Sequence, residues 1–411
     1  MMGSLDPLGM PLSTEVLSGE RADDGLDIPL IKRMRSGLNK TGLLFVGDGT
    51  MSAWETRAYL ARHQDWYVSP LPLTGATATM DAWITAGVMQ GEAGQLARIW
   101  RTNDRGHEVL AAEGYEFERT CCAPDSDMVW NERVMVVRSP MHATQQAAGL
   151  ETRLRHAETK LAALTPPRGR GKRQITDEAT LVEAIGLVLT AHRVDGLLNV
   201  TWEKQVEQTT QYVGRGRGSV SREKRVIQKT RYHITHIARQ ADTIAALSQR
   251  LGWKAFVTNA GQKRLSLQEA VLCYRNEYRV ERIFNRLKSR VHIAPLFVKL
   301  NEQIEGLTYL LTLGVRVLTV TEFVLRQSLE QDQVRLPGLH LENKQKMTDK
   351  PTAERILKAF ADISLTIIKN AAGEDILRRL TPLSGLQEDI LQRLGLGTAL
   401  YGQLEIQAIG H

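Results

Sequence analysis

Five arginines, two glutamates and a lysine crowd the stretch CYRNEYRVERIFNRLKSR at 273–290. Wound as an α-helix, at about 100° per residue, it sorts its side chains by face. Val280, Ile283, Phe284 and Leu287 recur at i, i+3, i+4 and i+7 and make an apolar stripe fit for a core. Arg275, Arg279, Arg282, Arg286 and Arg290 climb a second face as a basic ladder. Tyr274, Glu277, Glu281 and Lys288 lie between the two, which puts Glu281 at the margin of the buried stripe. Two readings fit. One is a surface helix laced with i, i+4 ion pairs. In the other, a carboxylate flanked by Arg and Lys holds a divalent cation while the bases hold a phosphodiester backbone, which requires a second carboxylate elsewhere.

A strand that ends in an acid lies far upstream. The sequence opens with two strand-like runs around the turn former Asp6-Pro7-Leu8-Gly9, then a helix in GLDIPLIKRMRSGL. LLFVGD follows, a short apolar run that reads as a buried strand and ends at Asp48. SAWETRAYLARH as a helix and DWYVSPLP as a second strand complete an α/β unit. From about 73 to 252 the pattern changes. YEFERTCC and MVWNERVMVVRS flank the turn signal at 124–127 and read as a hairpin, and Leu150, Leu154, Ala157, Leu161 and Leu164 mark a helix that ends before TPPRGRGKR. A helix near 178–193 precedes two long strands, LLNVTWEKQVEQTTQYV and KRVIQKTRYHITHIAR, joined across GRGRGSVSRE. Arg215 and Arg217 lie in that glycine-rich tip. Each basic loop is either a solvated connection or a phosphate contact. WKAFVTNA is a strand, and the residues beyond 297 read as mostly helical.

With 411 residues the chain exceeds one ordinary domain. A net charge of +7, gathered in patches, tilts the partner towards nucleic acid. Cys121, Cys122 and Cys273 offer neither a disulfide framework nor zinc spacing and fit a reducing, cytoplasmic compartment. His233 and His236 lack a third ligand. The most apolar segment, 307–325, contains Arg316 and Glu322 and reads as a buried helix; no membrane partner is expected.

Asp48 at a strand end, paired with Tyr274, Glu281 and Lys288 on one later helix, resembles the DDE transposases of bacterial insertion sequences, in the branch with a Tyr-Arg-Glu-Lys signature. Tyr274, Glu281 and Lys288 keep the signature's spacing, and the likeness runs from the opening hairpin through LGWKAFVTNA to GLTYLLTLGVRVLTVTEFV. The resemblance implies an α/β, ribonuclease-H-like mixed-sheet core, formed by 1–72 and 253–325, with a large α+β insertion at 73–252 and a helical C-terminal region at 326–411. It further implies two Mg²⁺ (or Mn²⁺) ions among three carboxylates, Asp48 and Glu281 being catalytic metal ligands. Tyr274, Arg275, Arg279, Arg282 and Lys288 are then expected to contact DNA, with Arg215 and Arg217 at the ribbon tip. The partners implied are transposon ends and target DNA, engaged by a homodimer in the bacterial cytoplasm at the nucleoid.

The sequence departs from that pattern twice. Glu277 stands where the signature has arginine. The family's first aspartate belongs to a strand ahead of the opening hairpin, a place no residue of this sequence occupies. Asp6 is explained as a turn former, and Asp23, Asp24 and Asp27 as helix-start residues. The expectation is therefore an N-terminally truncated transposase that binds DNA without cleaving or joining it, its hairpin deprived of a sheet partner. A non-catalytic DNA-binding or dimerising remnant is the alternative, and a stand-alone metal nuclease the third possibility.

Overall fold

The computed structural model describes residues 2–16, 25–71, 77–103, 106–123, 127–169, 171–172, 174–213, 224–275, 278–287, 298–340, 342–343 and 345–404. In chain order come β1 (Met2–Leu5), β2 (Pro11–Glu15), α1 (Asp27–Leu38), β3 (Leu44–Val46), α2 (Trp54–Arg62) and β4 (Trp66–Pro70). Next are α3 (Thr77–Glu92), β5 (Ala97–Thr102), β6 (Glu108–Cys122), β7 (Val129–Arg138), α4 (Pro140–Leu164) and α5 (Glu178–His192). β8 (Leu198–Tyr212), β9 (Lys224–Arg239), α6 (Ala241–Gln249), β10 (Trp253–Thr258), α7 (Leu267–Arg275) and α8 (Tyr278–Asn285) follow. The last are α9 (Asn301–Gln331), α10 (Ala353–Lys358), β11 (Leu365–Lys369), β12 (Asp375–Leu380), α11 (Gly385–Arg393) and α12 (Ala399–Gly402). The chain divides into two compact units, one built from 1–41 and 275–411, the other from 42–274.

The 42–274 unit is organised by a mixed sheet of six strands, ordered β3-β4-β10-β7-β6-β5, in which only β3 and β4 run parallel. The α/β character expected from the sequence is present. The sheet runs without a break from β3, β4 and β10, assigned to the core, into β7, β6 and β5, assigned to the insertion. The two compact units themselves are bounded near 41 and 274. Val68, Met135, Val137, Phe256 and Val271 are among its buried apolar residues. At Gly114 a Cβ would lie 2.4 Å from the Val136 carbonyl oxygen, so only glycine lets β6 and β7 approach this closely.

A second core lies under the long ribbon. Leu150, Leu154, Ala157 and Leu161, spaced for one helical face, pack with Leu181 and Ile185 of α5 and with Leu198, Tyr232 and Ile234 at the ribbon's base. Ser139 and Asp177 cap α4 and α5 by accepting from the amides of His142 and Thr180. β8 and β9 pair over their whole length, from Leu198↔Arg239 to Tyr212↔Lys224.

In the unit of 1–41 and 275–411, β1 and β2 form a two-stranded sheet of their own. Arg316 of α9 donates to the carbonyls of Pro11 (2.7 Å) and Leu12 (2.9 Å), satisfying acceptors along the hairpin. Ile283, Leu287 and Val315 are buried together with Leu5 and Leu311 against them. The apolar stripe of the glutamate helix therefore packs as its spacing predicts.

Two expectations need correcting, and a third, one helix over 273–290, falls partly outside the described residues: α7 ends at Arg275, α8 begins at Tyr278, and 276–277 lie between them. The 307–325 helix is buried on one face only, since Leu310 and Val317 remain 63% and 65% exposed. The C-terminal region is not purely helical, because β11 and β12 form a hairpin. β-Branched Thr366, Ile367 and Ile368, followed by a turn with Gly373 at φ +84°, favour strands there.

Candidate functional site

Asp48 stands just past the C-terminal end of β3, at the mouth of the parallel β3-α2-β4 unit. Its backbone is fixed on both sides. The Gly47 amide donates to the Val68 carbonyl (3.2 Å), and the Ser69 hydroxyl donates to the Asp48 carbonyl (2.6 Å). The Asp48 side chain is exposed, and its Oδ1 accepts from the Thr50 amide (3.0 Å) and hydroxyl (2.6 Å). The acid thereby anchors the short 3₁₀ turn Thr50–Ser52 that leads into α2.

Behind α2 lies an acid that the sequence reading missed. Glu132 of β7 is fully buried, with Arg57 of α2, Tyr67 of β4 and Arg119 and Cys121 of β6 gathered on its carboxylate. Arg119 binds Oε2 through Nε (3.0 Å) and Nη2 (2.8 Å), Cys121 Sγ donates at 3.1 Å, and Trp130 Nε1 donates to the Tyr67 hydroxyl at 2.9 Å. Burial opposes the charge on Glu132, but Arg57 and the bonds from Tyr67, Cys121 and Arg119 hold its pKa below the usual carboxylate value. Burial and the neighbouring carboxylate push the Cys121 thiol up to about 11 and raise the Tyr67 phenol. Both Glu132 oxygens are held by donors from other elements, so the cluster braces α2 against three strands. Its signal was the placing of an acid in phase with Trp130, Val134 and Val136 on one strand face. Arg133, on the opposite face and 4% exposed, donates to the carbonyls of Ala260 (2.9 Å) and Leu265 (2.6 Å).

Glu281 of α8 is exposed and makes no side-chain hydrogen bond or ion pair among the described residues. It belongs to the unit of 1–41 and 275–411, Asp48 to the other. Tyr274, at the end of α7, packs its ring 4.7 Å from that of Phe256. Arg275 is half-buried.

The basic ladder does not form a uniformly solvent-facing stripe. Arg286 is 4% exposed and bridges Glu322 and Glu354, while Arg282 donates to both Glu322 oxygens, at 2.7 and 2.9 Å. Arg326 adds a third guanidinium 3.3 Å from Glu322, and the Ala353 amide donates to it at 2.8 Å. Against the opposing effect of burial, the Arg286 bonds bring Glu354 down to about 2. Arg282 thus engages a carboxylate through Nη2, with its side chain 37% exposed. Lys288, Glu277, Arg215 and Arg217 lie outside the described residues, as does the Arg279 side chain.

One of the two basic loops meets the long ribbon; the other, 214–223, lies outside the described residues. Arg168 of TPPRGRGKR pairs with Glu207 on β8, and the Ile175 carbonyl accepts from the Tyr232 amide of β9 at 2.9 Å. The ribbon beyond Glu203 is exposed on most of its length and carries Lys204, Lys224, Arg225 and Lys229 at exposed positions. Among the described residues, no group of three or more His, Cys, Asp or Glu side chains is arranged to hold a metal ion. No protein-family model matches the chain, and no curated protein matches it.

Proposed function

We propose that the chain is a DNA transposase of an insertion sequence, built on a ribonuclease-H-like core and acting on transposon ends and target DNA as a homodimer in the bacterial cytoplasm. The observation that carries this reading is Asp48. A carboxylate held by a turn at the C-terminal end of a parallel strand, exposed and backed by a braced βαβ unit, occupies the place where open α/β sheets bind ligands. Asp48 and the exposed Glu281 would be the ligands this chain gives to Mg²⁺ or Mn²⁺, since hard cations take carboxylate oxygens. Bound divalent ions supply activation of an attacking oxygen and stabilisation of a leaving one at a scissile phosphate. The protein's own share is positioning: the Ser69 and Thr50 bonds fix Asp48, and the basic ribbon with the 168–172 loop holds the DNA backbone.

A second reading, a DNA-binding protein of the same descent that does not cleave, is favoured by one observation. Two carboxylates are fewer than the three that the resemblance implies, and the described residues offer no cluster of three. One experiment separates the two. Binding of duplex DNA is measured against salt concentration, and nicking of the same DNA is followed in Mg²⁺ and in Mn²⁺. Salt-dependent binding with nicking that Asp48→Ala and Glu281→Ala each abolish supports the enzyme. Salt-dependent binding without nicking supports the second reading, and absence of binding at low salt overturns both.

A further inference from the structure

Helix α9 is turned in an unusual way. Its buried face carries Thr308, Thr312, Val315, Thr319, Glu322, Leu325 and Leu329. That face is held by the Thr14–Thr312 hydroxyl contact (3.2 Å), by Arg316 on the hairpin carbonyls and by Glu322 on its arginines. The more apolar side chains point away from it. Tyr309 is 59% exposed, Leu310 63%, Val317 65% and Val320 46%, with Leu313 and Phe323 also exposed. A helix that merely packed on its own unit would show the reverse arrangement.

The outward positions have a period. Gln303, Gly306, Leu310, Leu313, Val317, Val320, Val324 and Gln327 alternate spacings of three and four, the repeat of about 3.5 residues that keeps one seam facing a partner helix. No charge interrupts the seam between Gly306 and Val324, and glutamines stand at either end. At Gly306 and Gly314 a Cβ would meet nothing within 4 Å, so the helix surface is open to close approach.

Length and composition alone would also let this helix cross a membrane. Its apolar seam from Leu310 to Val324 rises only about 21 Å, short of the ~30 Å hydrocarbon layer. The opposite face, with three threonines and the ion-paired Glu322, is unsuited to lipid. The area instead suits a protein partner: the exposed apolar side chains offer on the order of 600 Å² per copy, and a helix pair would bury about 1,200 Å², above the ~1,000 Å² that a specific interface has to clear.

We infer that this seam pairs with the same seam of a second copy of the chain, as an antiparallel helix pair across a two-fold axis at Val317. Leu310 and Val324 each lie seven residues from Val317, and Leu313 and Val320 lie four and three residues from it, so an antiparallel match sets Leu310 on Val324, brings Leu313 within about 1.5 Å of rise of Val320 and opposes the two helix dipoles. The pairing deepens the dimeric reading above and rests on that reading only for its biological purpose.

The test uses the full chain without DNA, so that its failure is separate from failure of the transposase reading. Sedimentation velocity should give the mass of a dimer, and Val317→Lys should weaken self-association at least about 30-fold while leaving the far-ultraviolet circular dichroism unchanged, because Val317 is exposed. In a Cys122→Ser background, Val317→Cys should form an intermolecular disulfide on mild oxidation. Leu310→Cys and Val324→Cys should cross-link when mixed, and Leu310→Cys alone should not. A wild-type chain that sediments as a monomer at every accessible concentration overturns the inference, whether the seam is shielded from thiol reagents by the same chain or floats with phosphatidylcholine vesicles. Cross-linking of Leu310→Cys alone overturns the antiparallel arrangement.

Discussion

Asp48 and Glu132 are acids associated with one sheet, and their surroundings give them opposite tasks. Asp48 is exposed and spends one oxygen on a turn; Glu132 is buried and spends both on arginines. Asp48→Asn keeps an oxygen for Thr50, so its unfolding free energy should stay within about 0.5 kcal/mol of wild type. Its Mn²⁺ affinity, read by titration calorimetry, should fall at least about 10-fold. Glu132→Gln should do the reverse. It leaves Arg57 in a dry interior without its counter-charge, which costs about 3–5 kcal/mol, measurable by urea unfolding, with Mn²⁺ affinity intact. The opposite outcome for the pair would exchange the roles assigned to them. Asp48 was legible in the sequence because a strand end and a turn former are local signals. Glu132 was not, because its meaning comes from Arg57, Tyr67 and Arg119, which lie far from it along the chain.

At the scale of elements, long periodic segments were the legible ones. The leucine spacing of α4 predicted the helix that formed, since it buries the face its own period defines, and the two long strands β8 and β9 paired as expected. The unit boundary at 274–275 and the β11–β12 hairpin were not read. A charged, helix-favouring run hides where packing changes partners, and a five-residue strand gives little periodicity. The ribbon supports a prediction independent of its tip. Arg225 and Lys229 lie on the exposed stem, on the strand face that also carries Glu207, the partner of Arg168. Replacing both by Ala removes two backbone contacts, which should lower the slope of log affinity against log salt by about 2 and weaken all DNA sequences alike. An unchanged slope would make the ribbon stem a bystander in DNA binding.

Across the whole molecule the connectivity matters most: the 42–274 unit is one continuous segment, whereas its companion is assembled from 1–41 and 275–411. Each has its own core and its own buried ion-pair hub, Glu132 in one and Glu322 in the other. Unfolding of the continuous unit turns 42–274 into a slack loop between the two parts of its companion. Loop closure grows only by about 0.6 kcal/mol per doubling of length, so this coupling is weak. Scanning calorimetry should therefore show two transitions. Glu132→Gln should lower one by about 10 °C, as a loss of a few kcal/mol does in a unit of this size. Glu322→Gln, which strips Arg286 of a counter-charge, should lower the other, and in the double variant the two shifts should add. The inferred α9 seam tells the transitions apart without any substitution. α9 belongs to the discontinuous unit, so mass action makes that transition alone rise with protein concentration, and Val317→Lys should remove the dependence. If Glu132→Gln and Glu322→Gln move a single common transition, the two units melt as one body and the independence argued from their separate cores is wrong.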